Sequence, residues 1–268
     1  MEEGPRRAPA ERAPARQRAL RRAAFLALPL ALALGTAQAA LPDEIQVYTD
    51  DLEKPRERGV ELHVNTTPSG RSAPAYPGEV TPHHGLRITP EISWGLAPSW
   101  DMGVYLPFVR SAEGADYFAG PRLRLKWLPL HPAEGASGAF AGMNWEVSFV
   151  QQRFERARRT AEIRPILGLR SETWLFAFNP ILDVELAGEQ KGVLTFTPAA
   201  KLARTIRRDT AIGAEYYADL GRLSHFAPQA EQSHVLYAVL DTKRINFGIG
   251  RGLSAASDRW TVKAIFSF

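Results

Sequence analysis

The sequence contains no cysteine, so neither disulfide bonds nor thiolate chemistry contributes to this protein. It also lacks an apolar run long enough for a membrane-spanning helix, which needs about 20 residues. The longest apolar run, 23–35, has Pro29 near its middle. A run this short indicates a removable targeting segment and not a transmembrane helix.

The first 39 residues are arranged like a secretory signal peptide. An arginine-rich segment precedes the apolar run, and Ala37-Gln38-Ala39 then supplies a small-x-small cleavage site. We therefore expect residues 1–39 to be a cleaved signal peptide and residues 40–268 to be the mature domain. Export without cysteine is typical of proteins of the bacterial envelope.

The mature domain also lacks an excess of charge of either sign. The whole chain has a formal net charge of +4, but residues 1–39 hold seven of its 33 Lys and Arg residues and three of its 29 Asp and Glu residues. That leaves 26 of each in the mature domain. The basic charge thus belongs to the targeting segment, and we expect no nucleic-acid partner.

No stretch of convincing length shows the 3.6-residue period of an amphipathic helix; apolar and polar residues alternate with period two instead. Most alternating stretches hold about ten residues, close to the 9–11 of a tilted transmembrane strand. The pattern predicts twelve strands, with ten as the main alternative count: 58–67, 86–96, 100–110, 117–128, 140–152, 161–170, 173–186, 192–205, 209–220, 234–241, 244–253 and 259–268.

Alternation alone fits either a soluble barrel with an apolar core or a transmembrane barrel with an apolar outer face. Three features favour the membrane: an even number of strands, loops that are short at one end and long at the other, and large aromatic residues along the apolar stripe. The sequence therefore predicts an all-β fold, a closed antiparallel transmembrane β-barrel. The aromatic residues are Trp94, Trp127, Trp145, Trp174, Trp260 and Phe268.

The chain ends in WTVKAIFSF (260–268), with Trp260, Phe266 and Phe268 on one face. This ending resembles the assembly signal that the barrel-assembly machinery of the bacterial outer membrane reads. Four further stretches, GLAPSWDMGVYLPF (95–108), GPRLRLKW (120–127), FNPILDVEL (178–186) and EYYADLG (215–221), resemble an uncharacterised proteobacterial barrel family. That family is similar to transporters associated with phenol meta-cleavage pathways. The resemblance implies an outer-membrane location and passage of small solutes, aromatic compounds among them.

If the apolar faces contact lipid and lipopolysaccharide, the charged faces line the lumen. The lumen-lining residues that we expect are Glu61, Arg87, Glu91, Arg124, Lys126, Glu146, Arg164, Asp183, Glu185, Lys201, Glu215 and Asp219. Such residues either set the selectivity of a narrow pore or pair into a network that plugs it. A channel for an unidentified small solute is the leading interpretation, and a plugged structural barrel is the alternative.

An outer-membrane hydrolase is the second alternative, because such enzymes place a histidine beside Ser or Asp at the rim. The candidates are His83-His84, Ser224-His225 and Ser233-His234, but neighbouring side chains of an extended segment point apart. We therefore expect no catalytic residues. We also expect no metal site and no cofactor, since no second cluster with ligand spacing accompanies His83, His84 and Glu79.

Overall fold

The structure, a computed structural model, describes residues 1, 4, 44–133 and 135–268. The expected signal peptide thus lies almost entirely outside the described residues. None of the described residues forms a helix that is long and apolar enough to cross a membrane. The strands of the described part are β1 (Arg58–Ser69), β2 (Leu86–Ala97), β3 (Trp100–Tyr105), β4 (Phe108–Arg110), β5 (Asp116–Phe118), β6 (Arg122–Leu130), β7 (Gly138–Ser148), β8 (Thr160–Arg170), β9 (Trp174–Asn179), β10 (Leu182–Glu185), β11 (Leu194–Phe196), β12 (Ala199–Arg207), β13 (Thr210–Asp219), β14 (Gly221–Arg222), β15 (His225–Phe226), β16 (Ser233–Thr242), β17 (Ile245–Gly252) and β18 (Trp260–Ser267).

Prolines divide four long strands into two segments each. Pro107 separates β3 from β4, Pro121 separates β5 from β6, and Pro180 and Pro198 separate β9 from β10 and β11 from β12. Because proline has no N–H to donate, the hydrogen-bond ladder is interrupted at these points. Both segments keep the same neighbour, as β3 and β4 do with β2. With β14 and β15 counted as extensions of β13 and β16, the described segments form twelve spanning strands, as the sequence predicts.

The sheet closes on itself, because β1 pairs with β2 on one side and with β18 on the other. Leu62 lies opposite Phe266, and the Phe268 N–H donates to the Val60 carbonyl at 3.1 Å. Consecutive spanning strands are paired antiparallel around the whole barrel. The prediction that the last strand returns to the first is confirmed.

The connections at the two ends of the barrel differ in length. At the end where β1 begins, strands are joined by 98–99, 171–173, 208–209 and 243–244, and only 131–137 is longer. At the other end the connections include 70–85, 149–159, 186–193 and 253–259. We call these ends the short-turn rim and the long-loop rim. In bacterial barrels the long loops face outside the cell and the short turns face the periplasm.

The outer surface of the barrel is apolar and its interior is polar. This distribution is the reverse of a soluble barrel with an apolar core, so that alternative is wrong. Exposed apolar residues and buried charged residues alternate along β6, with Leu123, Leu125 and Trp127 outside and Arg122, Arg124 and Lys126 inside.

Tryptophan side chains lie on this outer surface. Trp100, the first residue of β3 at the short-turn rim, stacks with Trp127 and Trp145 at ring distances of 5.7 and 6.2 Å. Trp174 and Trp260 are also exposed on the outer face. Tryptophan prefers the boundary between lipid tails and headgroups, so these rings fit the aromatic girdles of a membrane barrel.

A charge on the outer face should destabilise the protein according to its depth in the membrane. We expect Leu125→Arg, in the middle of β6, to lower the free energy of unfolding from lipid vesicles by about 2–4 kcal/mol. The matched control Leu169→Arg, next to the short-turn rim, should cost at most about 1 kcal/mol. Urea unfolding followed by tryptophan fluorescence measures both values. Equal, small effects at the two positions would contradict the lipid-facing assignment.

Candidate functional site

Residues 44–54, which we call the N-terminal segment, lie inside the barrel. The Tyr48 N–H donates to Asn179 Oδ1 at 2.7 Å, and Asn179 Nδ2 donates to the Tyr48 carbonyl at 3.1 Å. The Tyr48 hydroxyl oxygen lies 2.7 Å from that of Tyr105 and donates to Glu146 Oε1 at 3.1 Å. Lys263 Nζ donates to the Ile45 carbonyl at 2.7 Å. The segment is thus hydrogen-bonded to strands on several sides of the lumen.

Apolar packing also holds the N-terminal segment. Its buried side chains Val47 and Tyr48 belong to a cluster formed with inward-facing residues of the barrel wall. This cluster gives the lumen a small hydrophobic core, which the alternation of the strands alone does not provide. The wall residues of the cluster are Leu128, Phe140, Ile166, Ala177, Ile181 and Ala199.

The N-terminal segment joins β1 at the short-turn rim. The Arg56 N–H donates to the Gly95 carbonyl at 2.9 Å, and the Gly95 N–H donates to the Glu57 carbonyl at 3.1 Å. A Cβ on Gly95 would overlap the backbone of Lys54, so only glycine allows this close approach. Asp50 forms an ion pair with Arg170 at the end of β8. From this rim the segment extends upward into the lumen.

One ionic network lies in the half of the lumen nearest the short-turn rim. Arg124 Nε donates to Glu91 Oε1 at 2.8 Å, and the same guanidinium contacts Asp101. Lys126 Nζ lies 3.2 Å from Asp101 Oδ2. His63 Nε2 lies 3.2 Å from Glu91 Oε2. Every charge in this buried group therefore has a partner of opposite sign, which compensates for the loss of hydration.

A second network surrounds Glu215 on the opposite side of the barrel. Lys201 Nζ lies 3.0 Å from Glu215 Oε1 and 2.9 Å from Asp241 Oδ2. Lys263 contacts the other oxygen of the Glu215 carboxylate, and the Tyr217 hydroxyl donates to that oxygen at 2.6 Å. Gly248 faces inward on β17, and a Cβ there would come within 3.0 Å of the Lys263 side chain. The missing side chain leaves room for this lysine.

A third network connects the N-terminal segment with β8. Arg164 donates to both oxygens of Glu162, at 2.6 and 2.9 Å, and to the Gln46 carbonyl at 3.2 Å. Its guanidinium lies 4.2 Å from the centre of the Tyr48 ring and 3.6 Å from a Glu44 carboxylate oxygen. Arginine suits this position because its planar group binds a carboxylate and stacks on a ring at once.

Of the lumen-lining residues expected from the sequence, six belong to these networks: Glu91, Arg124, Lys126, Arg164, Lys201 and Glu215. Most of the expected residues are buried, namely Arg87, Glu91, Arg124, Lys126, Glu146, Arg164, Lys201, Glu215 and Asp219. Glu61 and Asp183 are half-buried. Glu185, the last residue of β10, is also half-buried and lies next to the connection 186–193. Sequence reasoning placed His63 in the polar network beside Glu61, but it missed Asp101 as a member of the ionic network, and it missed Tyr48 with the rest of the N-terminal segment.

A cavity of about 660 Å³ occupies the half of the lumen nearest the long-loop rim. Its wall combines charged residues with tyrosines and small apolar residues, and Glu44, Ile45 and Gln46 of the N-terminal segment also contribute to it. The side chains nearer the short-turn rim contact the segment or each other instead. The lumen therefore consists of an open upper cavity and a packed lower half.

The loop 70–85 forms part of the cavity wall near the long-loop rim. Arg71 donates to both oxygens of Glu79, at 2.7 and 2.6 Å, and this carboxylate raises the pKa of Arg71. Burial raises the pKa of Tyr76 in the same loop. The Val80 N–H donates to the Arg153 carbonyl at 2.7 Å. The Arg71–Glu79 pair fixes the loop internally, and the Val80–Arg153 hydrogen bond holds it against the loop 149–159.

Histidines at the long-loop rim do not form a nucleophile–base pair within the described residues. His234 Nδ1 lies 2.6 Å from the Tyr216 hydroxyl, and its Nε2 lies 3.2 Å from Gln232 Oε1. His83 Nδ1 accepts a hydrogen bond from the Gly70 N–H. The Ser or Asp partner that a hydrolase of the expected kind requires is therefore not at these ring nitrogens.

Glu61, His63 and Glu91 lie close enough together to hold a metal ion. Within the described ranges, they are the only such group of histidine and carboxylate side chains. One ligand atom from each lies within 4.8 Å of the others. The group is also tied into the network described above, because Arg124 donates to Glu91 and Ser267 Oγ donates to Glu61 Oε1 at 2.7 Å. The arrangement is thus explained as an ion-pair network, in which the guanidinium provides the positive charge that a metal would bring.

A closed antiparallel barrel with an apolar belt, aromatic girdles and a charged lumen defines the class: a transmembrane β-barrel of the bacterial outer membrane. A solved structure of an outer-membrane protein agrees with this fold. The COG4313 outer membrane channel from Pseudomonas putida F1 aligns over 84% of this chain and 100% of its own, with 10% sequence identity and a TM-score of 0.51. The KdgM porin aligns over 78% and 99%, with 11% identity and a TM-score of 0.46. No family model matches the sequence, and no curated protein matches it.

The position of the N-terminal segment can be tested by thiol labelling, because the chain has no cysteine of its own. Val47 is buried in the lumen, whereas Asp51 is exposed. We expect Val47→Cys to react at least about tenfold more slowly than Asp51→Cys with a charged thiol reagent, since reaction requires local opening. The two variants should react at equal rates in denaturant. Equal rates in the folded protein would show that the segment lies outside the barrel.

Proposed function

We propose that this protein is a narrow outer-membrane channel for small solutes and that its N-terminal segment forms the constriction. The observation that carries the proposal is the cavity of about 660 Å³, which lies directly above the segment and has a charged, polar wall. A lumen of this kind sets selectivity by its charges and its width. The solved structure with a TM-score of 0.51 is itself described as an outer membrane channel, which supports the same function here.

Under this proposal, the charged residues expected from the sequence act in two groups. Arg87, Arg164, Asp183 and Asp219 line the cavity and contact the solute. The pairs that include Glu91 and Glu215 keep the lower lumen in shape around the N-terminal segment. Small solutes pass when the segment shifts, because its hydrogen bonds to the wall are individually weak compared with the closed ladder of the barrel.

We also propose roles for the two surfaces that contact the envelope. The C-terminal strand, with Trp260, Phe266 and Phe268 facing outward, serves as the signal that the barrel-assembly machinery reads. The outer face contacts lipid, and basic residues near the long-loop rim contact the phosphates of lipopolysaccharide. The resemblance to transporters of phenol meta-cleavage pathways adds aromatic compounds to the proposed solutes, which agrees with Phe154, Tyr217 and Tyr237 in the cavity wall.

The packed lower half of the lumen favours a second candidate, a closed barrel without transport. The N-terminal segment and the ion pairs occupy this half in the described conformation. The two candidates differ in one measurable property, because a channel conducts ions and a permanently plugged barrel does not.

Loosening the N-terminal segment should widen the passage. Tyr48→Ala removes the ring beneath Arg164 together with the contacts to Tyr105 and Glu146. We expect single-channel conductance in planar bilayers to increase at least about twofold, since the ring occupies the constriction. The control variant Phe176→Ala, which removes an exposed ring from the outer face, should leave conductance unchanged.

Two outcomes would contradict the proposed function. If neither the wild type nor Tyr48→Ala conducts, the closed barrel is correct. If both conduct equally, the protein is a channel but the N-terminal segment is not its constriction.

A further inference from the structure

The wall of the upper cavity carries more negative than positive charge. Four arginines and seven carboxylates line it, which leaves three negative charges when all are ionised. Two of the arginines, Arg87 and Arg122, come from β2 and β6, and the carboxylates Asp183 and Asp219 come from β10 and β13. The order of the strands around the barrel places these two pairs on nearly opposite walls. The cavity therefore has a distinct acidic wall.

Three of the arginines are already matched by carboxylates of the protein. Arg71 is paired with Glu79 at 2.6 Å, and Arg164 is paired with Glu162 at 2.6 Å. Arg122 Nη2 lies 3.3 Å from Glu155 Oε1. The positive charge of the cavity wall is thus largely neutralised within the protein, and little of it remains to attract an anion.

The acidic wall is not neutralised in the same way. Asp183 accepts a hydrogen bond from the Thr197 hydroxyl at 2.6 Å, and Asp219 accepts one from the Gly221 N–H at 2.9 Å. Within the described residues, neither carboxylate forms an ion pair. Asp183 also lies directly opposite Glu162 in the pairing of β10 with β8. Arg164 is paired with Glu162, so Asp183 is the member of this like-charged pair that has no ion-pair partner among the described residues.

Glu44 gives an independent indication that a donor belongs in this cavity. Its side chain is only 1% exposed and lines the cavity from the N-terminal segment. Neither of its carboxylate oxygens accepts a hydrogen bond from any described residue, and its ion-pair contact to Arg164 Nη1 is 3.6 Å long. A buried carboxylate without hydrogen bonds is costly, and a ligand that donates N–H groups would remove that cost.

The same cavity offers apolar contacts beside the carboxylates. Phe154, Ile181, Val235 and the rings of Tyr217 and Tyr237 line it. Lys263 Nζ already lies 5.8 and 5.7 Å from the centres of the two tyrosine rings, so these rings accept an ammonium group. Apolar walls with a few charged groups are typical of sites for small organic molecules.

We propose that the upper cavity selects small organic ammonium ions with an apolar body, which bind at the carboxylates Asp183, Asp219 and Glu44 of its wall. The ammonium group satisfies the carboxylates, and the apolar body packs on the aromatic residues of the wall. This selectivity rests on the proposed channel function, since it names the class of solute that the channel admits. A carboxylate solute gains less, because the arginines that could attract it are already paired with carboxylates of the protein.

Three probes with the same ring and different charge test this selectivity: benzylammonium, benzyl alcohol and benzoate. We expect benzylammonium to bind the detergent-solubilised protein at least about tenfold more tightly than either of the others, as measured by calorimetry at fixed pH and salt, because it alone supplies the missing cation. Asp183→Asn combined with Asp219→Asn should reduce this affinity at least about tenfold, since each amide keeps the shape of the side chain but removes its charge.

The matched control removes two carboxylates at the short-turn rim, Asp209→Asn with Glu172→Gln. Both residues are exposed, so benzylammonium affinity should remain that of the wild type. In planar bilayers with a salt gradient, the wild type should prefer cations, and only the Asp183 and Asp219 variant should shift the reversal potential toward anions.

The outcomes separate this proposal from the channel function itself. Benzoate binding as tightly as benzylammonium, unchanged affinity in the Asp183 and Asp219 variant, or equal loss in the control variant would each overturn the ammonium site. A conducting wild type that binds none of the three probes would also overturn it and leave the channel intact. Benzylammonium binding to a protein that does not conduct would support the site and refute the channel.

Discussion

The structure depends on one constraint: in lipid, every backbone N–H and C=O must find its partner within the protein. A sheet meets this constraint only if it has no free edge, so β18 must return to β1. Proline breaks are tolerated because each divided strand keeps the same neighbours above and below the break. Closure in turn forces the side chains into two populations, one facing lipid and one facing the lumen.

The number of strands then determines how wide the lumen is and how much of it the inward-facing side chains can fill. Eight strands enclose a space that side chains fill, whereas sixteen or more enclose an aqueous channel. Twelve strands lie between these cases, so inward side chains alone leave a gap. In this protein the N-terminal segment fills the gap in the lower half, where Tyr48 lies between Arg164 and Tyr105. The upper half stays open as the cavity.

The charged side chains also differ between the lower and the upper half of the lumen. In the lower half, Glu91 and Glu215 each lie between cationic side chains, and these pairs connect neighbouring or nearby strands of the barrel wall. In the upper half, Asp183 and Asp219 have only hydroxyl and amide partners among the described residues. The paired charges therefore lie in the packed lower half of the lumen, and the carboxylates without an ion pair lie in the open upper half. There, a solute can supply the positive charge.

The strands, their order and the face of each strand that meets lipid follow from the amino-acid pattern alone, because period-two alternation and turn residues are local properties. The register of the last strand, with Phe266 outside and Lys263 inside, follows from nine residues of sequence. The contents of the lumen, by contrast, are visible only in the folded barrel. Residues 44–54 carry no periodic pattern, and Lys263 meets Glu215 across strands that are not neighbours in the sheet. Which side chains pair across a closed barrel depends on the stagger of the strands around the barrel, called the shear, and on the segment that fills the lumen. Neither can be read from any single stretch of residues.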